Sequence, residues 1–238
     1  MTHQIHLGDI AVDVVLKDIK NIHLSVYPPS GKVRIAAPER MKLDTIRVYA
    51  ISKLPWIKKQ QKKLRDQARE SKRDYIDRES HYVFGQRCLL TVIEADTPAK
   101  IEKRHNRLTL TIRPGTSEET KQARIDEWYR QILKQAAEPL IGHWEPLIGV
   151  KVNRLFIQKM KTKWGSCNPA AATIRLNTGL ATKPPACLEY IVVHEMTHIL
   201  EPTHNTRFVA LMNQFMPNWK HHRQTLNRLP LAHVDWGY

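Results

Sequence analysis

Cysteine is scarce: Cys88, Cys167 and Cys187 are the only three among 238 residues. They are widely spaced, odd in number and form no CxxC. That argues against a disulfide framework and against a cysteine zinc site, and it makes a reducing cytoplasm the expected compartment. Acid is short as well, with 23 Asp and Glu against 38 Lys and Arg and a formal net charge of +15. Such a balance says nothing about the fold; it suits an anionic partner, and equally a solvated basic surface. No apolar run approaches the ~20 residues of a membrane span. The first 20 residues alternate and carry acids where a signal peptide needs a continuous apolar stretch. No internal repeat or low-complexity segment stands out. Hydrophobic residues make up 42% of the chain, enough for a folded protein with one large core or two small ones.

Residues 5–37 read as strands, because Ile10, Val12 and Val14, and then Ile22, Leu24 and Val26, alternate with their neighbours. Pro28-Pro29-Ser30-Gly31 makes a turn into Val33 and Ile35. Over residues 41–73 the period becomes helical, interrupted at Pro55, which predicts two helices or one kinked one. The second half is basic, with Lys58, Lys59, Lys62 and Lys63 on its polar side. Strand signals return at 82–84, 89–93 and 108–112. A long helix is expected from Ser117 with a kink at Pro139, then strands at 155–157, 161–167 and 173–177. Pro184-Pro185 starts another helix, where proline's missing N–H costs little. The expected class is α+β. A soft boundary near 115 separates an N-terminal strand-and-helix region, 1–115, from a second domain, 116–238.

The chemistry concentrates in His194-Glu195-Met196-Thr197-His198. Residues four apart share a helix face, so His194 and His198 can direct two imidazoles at one ion. Glu195 is turned about 100° away, beside the ion rather than on it, where its carboxylate can take a proton from water. Pro202 forces the preceding residue out of helical geometry, so the helix should stop near Leu200 and present His204 just past the turn. A distant glutamate ligand is excluded: beyond Glu201 the only acid is Asp235. Three protein ligands with a fourth position open describe a catalytic zinc site rather than a closed structural one. With 12 His in the chain an accidental HExxH is conceivable, but an apolar-leading helix, a break in the right place and a third His argue against accident.

The spacing HExxHxxxxxH equals that of the metzincin motif, with Glu201 in place of its glycine. His194–His204 followed by Phe208, Pro217-Asn218-Trp219, Arg223 and Leu226 resembles the YgjP-like metallopeptidases, as do the upstream stretches Lys161–Cys167 and Ile174–Asn177. These stretches are also similar to the SprT-like proteases. The strong match covers about residues 151–226. The resemblance implies a zincin-like core, a small mixed sheet beside the HExxH helix, with substrate along an edge strand. Trp164, Gly165 and Ser166 are the expected substrate-contacting residues, Gly165 because it lets another backbone approach.

The expected function is therefore zinc-dependent peptide hydrolysis, with Glu195 as base and His194, His198 and His204 as ligands. Tyr190, Arg175, Arg207, His221 and His222 are unranked candidates for stabilising the oxyanion. Two other classes are open. One is a DNA-associated protease acting on nucleic-acid-bound or crosslinked proteins, with Lys58, Lys59, Lys62 and Lys63 as the contact. The other is a non-catalytic nucleic-acid-binding zinc module, which would have no use for Glu195.

Overall fold

Alternation in the first 38 residues builds β1 (Thr2–Leu7), β2 (Ile10–Lys17), β3 (His23–Tyr27) and β4 (Lys32–Pro38). The computed structural model describes residues 2–27, 30–66, 73–160 and 162–230, so Pro28 and Pro29 of the expected turn lie outside the described residues. The sheet order is β1-β2-β4-β3, with β2 and β4 parallel and the outer pairs antiparallel. One face of it, Ile5, Ile10, Val12, Val14, Val33 and Ile35, is buried with Ile46, Ala50 and Ile57 of two helices. These are α1 (Leu43–Ser52) and α2 (Leu54–Asp66). They break at Lys53, so Pro55 falls in the first turn of α2, where it removes no hydrogen bond.

The second unit begins with β5 (Ser80–Val83), β6 (Gln86–Glu94), β7 (Lys100–Arg104) and β8 (Arg107–Ile112). Their order, β5-β6-β8-β7, repeats that of the first sheet, again with a parallel central pair flanked by antiparallel ones. The turns match too. Gly8 and Gly85 both take the left-handed conformation, φ 65° and 80°, in the opening hairpin. The repeat escapes a sequence reading because it preserves burial pattern and turn chemistry rather than residue identity. β7, with sequence KIEKR, escapes it for a related reason: it is an edge strand, and charge on an edge hinders pairing with other chains.

Next comes α3 (Glu118–Ile148), capped by Ser117, whose hydroxyl accepts from the Thr120 N–H, and continuing as helix through Pro139 and Pro146. A three-stranded sheet succeeds it, β10-β11-β9, made of β9 (Arg154–Gln158), β10 (Gly165–Asn168) and β11 (Thr173–Asn177). The strand expected at 161–167 is shorter than the pattern suggested: residues 162–164 are loop, and Lys161 lies outside the described residues. After a 3-10 turn (Thr178–Thr182) come α4 (Pro185–Leu200), α5 (Thr206–Phe215) and α6 (Trp219–Arg228).

A single core joins Val83, Cys88, Leu90, Leu108 and Leu110 of the strands to Ile125, Leu133 and Ala137 of α3 and Leu188, Val192 and Met196 of α4. Each fully buried Leu or Ile contributes about 1.5–3 kcal/mol, so strands 80–112 are tied to the helices α3 and α4. The chain accordingly divides into compact units 1–68 and 69–238, not at the residue 115 boundary that the sequence suggested. No helix among the described residues is long and apolar enough to cross a membrane.

Candidate active site

α4 begins at Pro185 and is buried along most of its length, including Val192, Val193, Met196 and Thr197. Packing this complete fixes where its polar residues point. The helix ends at Leu200, one residue beyond which Glu201 leaves helical geometry at φ −142°. That is ordinary extended backbone, which explains why the turn works without the glycine of the related motif. Glu201 also ties the turn together: its carboxylate accepts from the Thr203 N–H and Oγ1 at 3.2 and 2.9 Å. His204 comes next, just ahead of α5, whose N-cap Asn205 accepts from the Phe208 N–H at 3.0 Å.

The result is convergence. His204 Nε2 lies 3.0 Å from His194 Nε2 and 3.2 Å from His198 Nε2. Among the described residues these three are the set that could hold a metal ion. The His198 Nδ1 is 3.0 Å from the Glu201 carbonyl, which can only accept. Nδ1 therefore carries the proton and leaves Nε2 a lone pair. A tetrahedral zinc ion with bonds of ~2.0–2.1 Å would set its nitrogen ligands about 3.3 Å apart, close to the spacing found. The rings also rest on Phe208, with centroids 4.9, 4.6 and 4.8 Å from those of His194, His198 and His204. Phe208 is 2% exposed and gives the triad a dry base. The residues fit a metal.

Electrostatics agree. His194 is pushed down to about 3, chiefly by burial and then by His198 and His204. His204 is lowered too, again by burial first. Both are held neutral, the form that binds a cation. Glu195 is 5% exposed and burial raises its carboxyl to about 8, with Lys163 acting weakly against the shift. It does not join the triad; it packs under β10, against Gly165.

Among the described residues β10 is an edge strand of its sheet, paired only with β11. The Asn177 N–H donates to the Trp164 carbonyl at 2.9 Å, and Trp164 stands opposite Asn177 in the β10–β11 register. Antiparallel ladders alternate, so the next bonded pair is Ser166 with Arg175, and the N–H and C=O of Gly165 and Cys167 turn outward. Asn177 also donates through Nδ2 to the Met160 and Lys163 carbonyls at 2.8 and 2.7 Å, anchoring the loop that delivers β10. Sequence reasoning reaches that asparagine only as part of a resemblance. Trp164 is half-buried against the core and covers Gly179, which has no side chain to obstruct the ring.

The candidate oxyanion donors are scattered. Arg175 lies over the Phe156 ring and Arg207 sits 3.9 Å from Glu201. Tyr190 is the one packed on the triad, its ring 5.8 Å from that of His194 and stacked on Trp219. Arg223, not among the expected donors, lies one turn of α6 beyond Trp219, and its charge bears on His194, His204 and Tyr190. The i,i+4 relation to an aromatic in the site was the available signal. On α2, Lys58, Lys59 and Lys62 are exposed; the Lys63 side chain lies outside the described residues.

Two solved structures resemble part of this chain. The metallopeptidase zymogen of Pyrococcus abyssi, abylysin, aligns over 41% of this chain and 99% of its own at 20% identity and a TM-score of 0.37. That of Methanocaldococcus jannaschii, jannalysin, aligns over 38% and 92% at 19% and 0.34. Among curated proteins, none matches. The YgjP-like metallopeptidase domain matches residues 20–229, from just before β3 to the end of α6, and so reaches into both units. This chain belongs to the YgjP-like metallopeptidase family.

Proposed function

We propose that the chain is a zinc-dependent peptidase with a zincin-like core, working in a reducing cytoplasm. The observation that carries this reading is the convergence of three imidazole nitrogens next to a buried carboxyl and an unpaired sheet edge. His194, His198 and His204 would hold the ion. Bound there, zinc would supply a Lewis acid that polarises a carbonyl and acidifies water. An extended peptide would pair with the outward N–H and C=O of Gly165 and Cys167, which brings its backbone past Glu195. Ser166 and Trp164 flank that contact. Beside a divalent cation the Glu195 carboxyl sheds its proton more readily, so it can accept one from water and return it to the leaving amine. Phe208 excludes solvent below. The test is cleavage of casein or another unfolded protein, measured with zinc content before and after chelation; a fully zinc-loaded protein that cleaves nothing rejects the reading.

Metal retention should depend on pH in a definite direction. Protons compete with the ion for imidazole, so affinity falls with pH. His194 and His204 resist protonation more than a free imidazole of ~6.5 does, so release should have its midpoint below ~6. Dialysis from pH 7 to pH 4 followed by elemental analysis reads this out. A midpoint above 6.5 contradicts it.

Exposure of Lys58, Lys59 and Lys62 beside Trp56, itself 43% exposed, favours a second reading in which the peptidase works on DNA-bound proteins. Affinity for single-stranded DNA should then fall steeply with salt. Replacing Lys58, Lys59, Lys62 and Lys63 by Gln should weaken it several-fold without changing zinc content. Equal affinity in the variant leaves a solvated basic face as the explanation.

A further inference from the structure

Gly165 has no conformational reason to be glycine. It opens β10 and is absent from the residues with left-handed φ, so any L-residue could take its backbone geometry. The reason is steric, and the neighbour responsible is specific. A Cβ at 165 would lie 2.5 Å from Glu195 Oε1, 2.8 Å from Cγ and 2.9 Å from Cδ, well inside van der Waals contact. The sequence predicted a close approach at this glycine but assigned it to a substrate backbone. What occupies the space is the protein's own carboxyl.

Three things could give way to a methyl group here. The α4 backbone is held by Val192, Val193 and Met196, all fully buried. β10 is held by its ladder with β11 and by the Asn177 clasp on the preceding loop. Only the Glu195 side chain is left to move. We propose that Gly165 is a positioning residue for the general base: its missing side chain forms the slot in which the Glu195 carboxyl is held beside the histidine triad. This rests on the peptidase reading for its consequence, but the slot itself is a packing relation that can be tested without catalysis.

Gly165→Ala should retain zinc, because the three atoms nearest a Cβ at 165 all belong to Glu195 and none to the histidine triad. The outward N–H and C=O of residue 165 survive the substitution, so peptide binding should be spared: kcat falls at least ~10-fold while KM stays within about threefold. Glu195→Asp withdraws the carboxyl by one methylene. It should therefore cost less activity in the Gly165→Ala background than alone, the non-additivity expected of residues in contact. A parallel stability cycle on metal-free protein removes activity from the question. Gly165→Ala should lower the melting temperature by a few degrees in the wild-type background and leave it unchanged or raised with Glu195→Ala, where Cγ and Cδ are gone.

If Gly165→Ala alone does not fold, the double variant with Glu195→Ala should. Failure of both, or strictly additive effects in the stability cycle, overturns the slot. A raised KM with unchanged kcat also overturns the proposal, since it returns the glycine to substrate clearance. If wild type is inactive, the peptidase reading fails by itself, and the stability cycle still decides whether the slot exists.

Discussion

Glu195→Gln should keep its zinc and lose peptide hydrolysis by about 10² or more. Glutamine has nearly the same shape, so it fits the space under β10 that the carboxyl occupies against Gly165. It makes no difference to the triad, whose three nitrogens converge without it. What it removes is a group able to take and return a proton. Metal-free protein should show a second difference. Glu195 binds its proton up to about pH 8 when folded, against an ordinary value of 4.5. A raised carboxyl pKa means that stability present at low pH is lost as pH climbs from about 4.5 through about 8. The Gln variant carries no such penalty, so its melting temperature should exceed that of wild type by an amount that grows across this window. Wild-type hydrolysis in Glu195→Gln would show that another group is the base.

His204→Ala should empty the site. It leaves two imidazoles on one helix face, which no longer surround an ion. Removing a group that merely supports a ligand costs about 10- to 100-fold in affinity, and removing a ligand should exceed that. The fold should survive, because His204 is exposed on a turn and Asn205, not His204, caps α5. Elemental analysis and circular dichroism separate the two quantities. Full occupancy in a folded variant would exclude His204 as a ligand; loss of both metal and secondary structure would mean that the turn depends on it.

The convergence of the three histidines was legible because it is local. His194, Glu195 and His198 sit within one helical turn, and Pro202 announces the stop at Leu200 that aims His204. Helix period and proline sterics are properties of adjacent residues, so eleven positions carry the whole argument. Gly165 was legible as a close approach but not as to whom, since the partner is 30 residues away across a strand–helix contact. Phe208, Asn177 and Arg223 matter through tertiary neighbours, and nothing in their immediate sequence says which ring or carbonyl they will meet. The residue 115 boundary failed for the same reason. Pro114-Gly115 looks like punctuation, yet Leu108 and Leu110 just before it share a core with Leu133 just after.

The two four-stranded sheets bear on the order in which the chain can assemble during synthesis. Each sheet closes its parallel pair within about two dozen residues, Val12 to Val33 and Leu90 to Leu108, so neither waits for distant sequence. The cores of the two units have no residue in common. Domains fold as units from the N-terminus as they emerge, so the first unit can finish while α4 is still unmade. The histidine triad spans residues 194–204, which follow both four-stranded sheets in the chain. A chain made in this order would bring its three histidines together only after both four-stranded sheets had been synthesised, and would seat them on Phe208 only once α5 had followed.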